Sequence, residues 1–267
     1  MISTRRGQQW LPRLALFLVT SLLLMLAGPV ARADEVRVIS SGGFAAAYKA
    51  LAPAFEKATG HTLVSGWGPS MGETKNAIPQ RLARQEPIDV VIMVGSALDQ
   101  LVARGQLDGA TRTVLASSRI AMAVRKGAPQ PAIATVEQLK DALLAAKSIA
   151  YSDSASGVYL SQVLFPRLGL TEALKGKARM IPAEPVGQVV ARGEAELGFQ
   201  QLSELQHVDG IDVVGLLPEA AQEVTLFSAA VVNGAAHARA GLALIRFLSS
   251  PDAAPVIEAT GLTAARR

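Results

Sequence analysis

The chain has 267 residues, a formal net charge of +4 and no cysteine, and half of its residues are hydrophobic. That apolar share excludes a disordered chain, and the missing cysteine excludes a disulfide framework, a thiol nucleophile and a thiolate metal site. The excess positive charge invites a nucleic-acid or anionic-membrane partner only until it is located along the chain.

Residues 1–33 read MISTRRGQQWLPRLALFLVTSLLLMLAGPVARA. Arg5, Arg6 and Arg13 precede an uncharged apolar run over 14–27, and Ala31-Arg32-Ala33 fits a signal-peptidase site. This pattern predicts a secretory signal peptide cleaved after Ala33. The run is short for a membrane span, which takes about 20 residues. The segment holds four arginines and no acid, so residues 34–267 carry 22 basic and 22 acidic residues and are formally neutral. The expectation is a monomeric periplasmic protein, with no bulk attraction for nucleic acid and no membrane insertion after cleavage.

Past the leader, short apolar runs at 36–39, 62–67, 90–94, 120–124, 148–151, 179–181, 197–199 and 213–216 read as strands. Between the first two lies a predicted helix over 44–59, with Tyr48, Leu51 and Phe55 at helical spacing and Gly60 as its stop. Further helices are predicted at 78–84, from Ser96 to Ala103, and at 236–248 and 251–260. This alternation predicts α/β architecture with largely parallel sheets. Residues 127–134 form a proline-rich surface connection.

In such sheets ligands sit beyond the carboxyl ends of the strands, where helix N-termini point inward. That rule selects four loops: Ser40-Ser41-Gly42-Gly43, Gly68-Pro69-Ser70-Met71-Gly72, the run from Ser152 to Gly157 with Ser154 and Ser156, and Gln200-Gln201-Leu202-Ser203. One such loop is ordinary turn and cap chemistry. Four at corresponding strand ends predict a site for an anion, held by backbone N–H groups and hydroxyls.

The stretch VRVISSGGFAAAYKALAPAFEKATGHTLVSGWGPSMG, the strand IDVVIM, the loop YSDSASGVYL and the segment PAEPVGQVVARGEAELGFQQLSEL resemble periplasmic molybdate-binding proteins. More broadly they resemble type II solute-binding proteins of ABC transporters, over nearly all of 34–267. The resemblance implies two α/β lobes, each with a central mixed, mostly parallel sheet. Lobe one would be 34–117 plus 226–267 and lobe two 118–225. A small anionic ligand would lie in the cleft between them, and an ABC permease would be the partner in transport.

The resemblance is broken at informative positions. Molybdate binders typically place a serine where Gly43 stands here, with Ser40 and Ser41 just before it. Their second-strand serine is kept as Ser70, next to Met71, and a tyrosine is replaced by Gln200-Gln201. These departures imply a larger, flatter ligand, a small di- or tricarboxylate. Arg81 and Arg119, the latter beside Ser118, are the candidate guanidinium partners for its carboxylates. The SSGGF and GWGPSMG variants are similar to a branch of the fold that includes aconitate isomerase, which implies an allylic proton shift with no metal and no organic cofactor. Three readings stay open: binding of a small organic polyanion, isomerisation of aconitate, and molybdate-type oxyanion uptake. Glu73, Asp153 and Glu184 lie in or beside the loops, and the spacing singles out none of them as a base. His61, His207 and His237 fall outside the loops, and Trp67 reads as flanking the ligand or packing in the core, with core preferred.

Overall fold

The computed structural model describes residues 33–266; the predicted signal peptide, apart from its last residue, lies outside them. Strand β1 (Glu35–Ser40) leads into helix α1 (Gly42–Thr59). Phe44, Tyr48, Leu51 and Phe55 form the buried stripe of α1, spaced as a 3.6-residue period requires. The helix stops where Gly60 takes a φ of 75° and its N–H reaches the Glu56 carbonyl at 2.8 Å, a left-handed cap that favours glycine. Next come β2 (Thr62–Trp67), α2 (Ile78–Ala83) and β3 (Val90–Val94). Every residue of β3 is buried, as an apolar run covered on both faces demands. Helix α3 (Gly95–Ala103) precedes the long β4 (Thr113–Arg125).

Helix α4 (Val136–Ala145) starts on a capping box in which Thr135 and Gln138 satisfy each other's backbone N–H groups. Strand β5 (Ile149–Ser152) is followed by the short helices α5 (Ala155–Tyr159), α6 (Phe165–Arg167) and α7 (Thr171–Leu174). Then come β6 (Ala178–Ile181), α8 (Val186–Ala191), β7 (Leu197–Gln201), α9 (Leu202–Leu205) and β8 (Ile211–Leu216). The chain closes with β9 (Val224–Val231), α10 (Ala238–Leu248), α11 (Ala254–Glu258) and β10 (Thr263–Ala264).

The strands run in the order β2-β1-β3-β9-β4-β7-β5-β6, with β8 and β10 also on β4. Parallel pairing, expected from the alternation, holds in the triplets β2-β1-β3 and β6-β5-β7. Every antiparallel pairing of these strands involves β4 or β9. The first half of β4 pairs with β9 and its second half with β7 and β8, so one strand ties the two triplets together. The sequence reading has only 120–124 of β4 and omits β9. Ala116, Ser117 and Ser118 in one, and Ser228, Ala229 and Ala230 in the other, dilute the apolar signal with residues that pack a sheet poorly in isolation.

The cores follow the triplets. Phe44, Phe55, Ile92, Met93 and Leu244 belong to one cluster around β1, β3, β9 and α1. Leu139, Ile149, Leu164 and Phe199 cover one face of the other triplet, and Ala121, Ala150, Val186 and Leu205 cover the opposite face. Packing on both faces fixes the strands and leaves their carboxyl ends to carry loops.

Candidate functional site

The carboxyl ends of both parallel triplets open on one cavity of about 250 Å³. Of the candidate site residues, Ser41, Gly42, Gly43, Ser154, Ser156, Gln200 and Gln201 line it. All four loops contribute, the second through Gly68 and Pro69.

Ser41 is the N-cap of α1, yet its hydroxyl makes no capping hydrogen bond. The residue is only 2% exposed, and its Oγ has no protein partner. The first amides of α1 likewise have no carbonyl within the helix. A buried polar atom left unpaired costs about 1–3 kcal/mol, so its place on a cavity wall reads as a ligand contact held ready. Gln201 repeats the pattern: its Nε2 donates to Thr225 Oγ1 at 2.8 Å, while its buried Oε1 is unpaired.

Gly43 has a physical reason to differ from serine. A Cβ there would collide with the ring of Phe227, which also lines the cavity. At Gly42 a Cβ would meet the carboxylate of Glu204, the far end of a flexible side chain. Ser152 and Ser156 share a hydroxyl–hydroxyl hydrogen bond of 2.9 Å, and the Ser154 N–H lies 3.4 Å from Ser152 Oγ.

The remaining candidates lie elsewhere. Ser40 donates to the Ser41 carbonyl, and Ser70 Oγ accepts the Val94 N–H at 3.0 Å, so both hydroxyls brace strand ends. Met71 packs partly buried against the core around α1. Ser118 faces Ser203, whose Oγ donates to the Gly43 carbonyl at 2.8 Å. Neither arginine lines the cavity. Arg81 is held by Glu86 at 2.6 Å, and Arg119 is paired with Glu219. Among the described residues no Lys, Arg or His lines it at all. Trp67, read as core, is 37% exposed and forms part of the wall, with Tyr48 edge-on and Lys49 Nζ 4.6 Å from its ring centre.

Three carboxyls do line the cavity: Asp153, Glu184 and Glu204. Glu184 is tied to Arg192 at 2.6 Å. Asp153 Oδ2 accepts the N–H of Ala183, a non-glycine residue at φ 56°. Glu204 has no cationic partner. The residue is partly exposed and lines the cavity, where the surrounding protein crowds its carboxyl. Burial pushes that carboxyl up to about 7; a hydrogen bond from Gln200 opposes the rise and the nearby Asp153 charge adds to it. The sequence reading missed Glu204. In sequence it is an ordinary first-turn acid of a short helix, four residues after Gln200.

The family model for "Bacterial extracellular solute-binding protein" matches residues 36–263. The chain belongs to this family. This solute-binding protein is 57% identical over 254 residues to a protein named aconitate isomerase from a Pseudomonas species, covering 94% of this chain and 96% of that one. It is 32% identical over 260 residues to the molybdate-binding protein ModA of Azotobacter vinelandii, covering 91% and 96%. Its fold matches the solved periplasmic molybdate-binding protein of A. vinelandii with a TM-score of 0.70 at 20% identity, over 86% of this chain and all of that one. The fold is thus the two-lobed type II periplasmic binding fold, with a mixed sheet. Among the described residues no helix is long and apolar enough to cross a membrane.

Proposed function

We propose that this solute-binding protein holds a small polycarboxylate of the aconitate class in the cavity and interconverts its cis and trans isomers by an allylic proton shift. The observation that carries the binding half is the unpaired, buried Ser41 hydroxyl beside the N-terminal end of α1, an anion-accepting corner with no fixed cation among the described residues. The 57% identity to a protein named aconitate isomerase supports the chemical half. In this reading Ser41, Gly42, Gly43, Gln200 and Gln201 contact the ligand, while Arg81 and Arg119 do not.

Cavity size favours a small organic acid. Drug-sized ligands occupy about 300–1,000 Å³, more than the 250 Å³ here. The reading also divides the molecule at 117/118 and 225/226; β4 passes from β9 to β7 between Arg119 and Ile120, and β9 runs Val224–Val231. It places the exported monomer in the periplasm. A second reading, delivery of the bound anion to an ABC permease, is favoured by the 32% identity to a molybdate-binding protein.

Incubating the purified protein with trans-aconitate in deuterated water separates the two. The expected result by NMR is appearance of cis-aconitate, with deuterium entering the interconverting carbon positions. Tight binding with neither isomer nor exchange would leave only the delivery reading. A thermal shift with molybdate and none with aconitate would overturn the carboxylate assignment itself.

A further inference from the structure

We infer that Glu204 is the catalytic residue that removes the proton from the substrate methylene and returns it at the far end of the allylic unit. This assignment rests on the isomerase reading above and adds the reacting group to it.

Position argues first. Glu204 lies on the cavity wall, directly against the N-terminal residue of α1: a Cβ on Gly42 would occupy the space of its carboxylate oxygen. The base therefore sits against the first residue of α1, one position along the chain from Ser41. A ligand carboxylate held by the Ser41 hydroxyl and the N-terminal end of α1 has its neighbouring carbon within reach of Glu204. The same donors stabilise the negative charge that develops when the proton leaves.

Company argues second. Of the three cavity carboxyls, Glu184 is neutralised by Arg192 and Asp153 is engaged by the Ala183 N–H. Among the described residues Glu204 has no cation and no backbone N–H held by its carboxylate, which leaves it the cavity carboxyl least committed to the protein. Its one polar neighbour is oriented for it. Gln200 Oε1 accepts the Val186 N–H at 2.9 Å, a bond that only an oxygen can make, so its NH₂ end is left to face Glu204. The other ionisable groups on the cavity are Asp153 and Glu184, both acidic. Together with burial, Asp153 keeps Glu204 near neutrality, where a general base is most effective.

The step balances without any co-reactant. A methylene C–H bond breaks and an O–H bond forms on Glu204, while the electron pair spreads over the three-carbon unit and its carboxylates. The O–H bond then breaks as a C–H bond forms on the former vinyl carbon. The double bond has moved one position, and no electron has been gained or lost.

The test uses the wild-type protein, Glu204→Gln and Glu204→Asp, with trans-aconitate as the probe. Glu204→Gln is expected to bind it within about tenfold of wild type by calorimetry. It is expected to lose isomerisation and deuterium exchange by at least about 100-fold, the lower end of what general base catalysis contributes. Glu204→Asp, which keeps the carboxyl but retracts it, is expected to retain binding and partial exchange, and it carries the test if the glutamine variant misfolds. Wild-type activity with equal activity in Glu204→Gln would overturn this assignment alone. A wild-type protein that binds but neither isomerises nor exchanges would overturn the isomerase reading and the assignment with it.

Discussion

The two walls of the cavity differ in kind. The wall built on β1, β2, β3 and β9 presents Ser41, Gly42, Gly43, Trp67 and Phe227, and nothing on it titrates. The facing wall, built around β5 and β7, carries all three carboxyls. One wall offers donors that stay the same at every pH; the other offers groups that can exchange protons. A site that only captured an anion would gain from cations on both walls. Separating neutral donors from acids matches a site that first holds a polyanion and then moves a proton on it.

The sharpest way to break the comparison is to push the walls apart where Gly42 meets Glu204. Gly42→Ala sets a methyl group against the Glu204 carboxylate. The carboxylate ends a flexible side chain and can shift, so the fold is expected to survive with a melting temperature within a few degrees of wild type. Isomerisation is expected to fall on the order of 100-fold, the cost of an ångström-scale misplacement of a reacting group. Unchanged turnover in Gly42→Ala would detach Glu204 from the donor wall. Gly43→Ser is the stability counterpart. Its side chain meets the buried Phe227 ring, and overpacking of that kind costs about 1–3 kcal/mol by denaturant melts.

The proton-exchanging wall makes its own prediction through stability. Burial raises the Glu204 carboxyl to about 7, so below that pH the folded protein keeps a proton that the unfolded chain releases above the ordinary carboxylate range. Its contribution to stability is full at low pH and is lost as pH rises through about 7. The loss is at most about 3 kcal/mol, and less because the residue is partly exposed. Denaturant melts of the ligand-free protein at about pH 5 and about pH 8 should show a smaller drop for Glu204→Gln than for wild type. Parallel drops would place the carboxyl in water.

The donor wall was largely legible in the sequence and the proton wall was not. Serines and glycines directly after short apolar runs mark strand-to-helix turns, and those turns gather at the cavity because parallel strands end on the same side. Glu204 gives no such signal. Its burial depends on Gly42, which is 162 positions away and lacks a side chain, and on a Gln200 amide turned by the Val186 N–H. Arg81 and Arg119 misled for the converse reason. Nearness to a loop says nothing about which acid a guanidinium finds first, and Glu86 stands only five residues beyond Arg81. The missing β9 left Phe227 unseen, so the glycine at 43 read as the loss of a serine rather than as room for a ring.

Ser41→Ala tests the donor wall with a smaller effect. Removing a hydroxyl that donates to a charged ligand is expected to weaken aconitate binding by about 1–2 kcal/mol, roughly 5- to 30-fold by calorimetry. The ligand-free protein should be as stable as wild type or slightly more so, because the deleted group is an unpaired buried one. A variant that loses stability but not affinity would make Ser41 a part of the scaffold.

The smallest effect is expected at Arg81, and it separates binding by dipoles from binding by cations. Arg81 lies behind the donor wall. Its Nε donates to Glu86 at 2.6 Å and its Nη1 lies 3.4 Å from the Trp67 carbonyl. Arg81 and Glu86 are 24% and 31% exposed, so the pair is worth about 0–1 kcal/mol of stability. Arg81→Ala is therefore expected to leave aconitate affinity unchanged and to lower the melting temperature by a few degrees at most. If a free guanidinium supplied the counter-charge, affinity would fall about tenfold or more in the variant and would weaken steeply with added salt in the wild type. Hydroxyls and helix amides held inside the cavity are screened far less. Affinity that is insensitive both to Arg81 and to moderate salt would mean that the polyanion is balanced by fixed dipoles rather than by a cation.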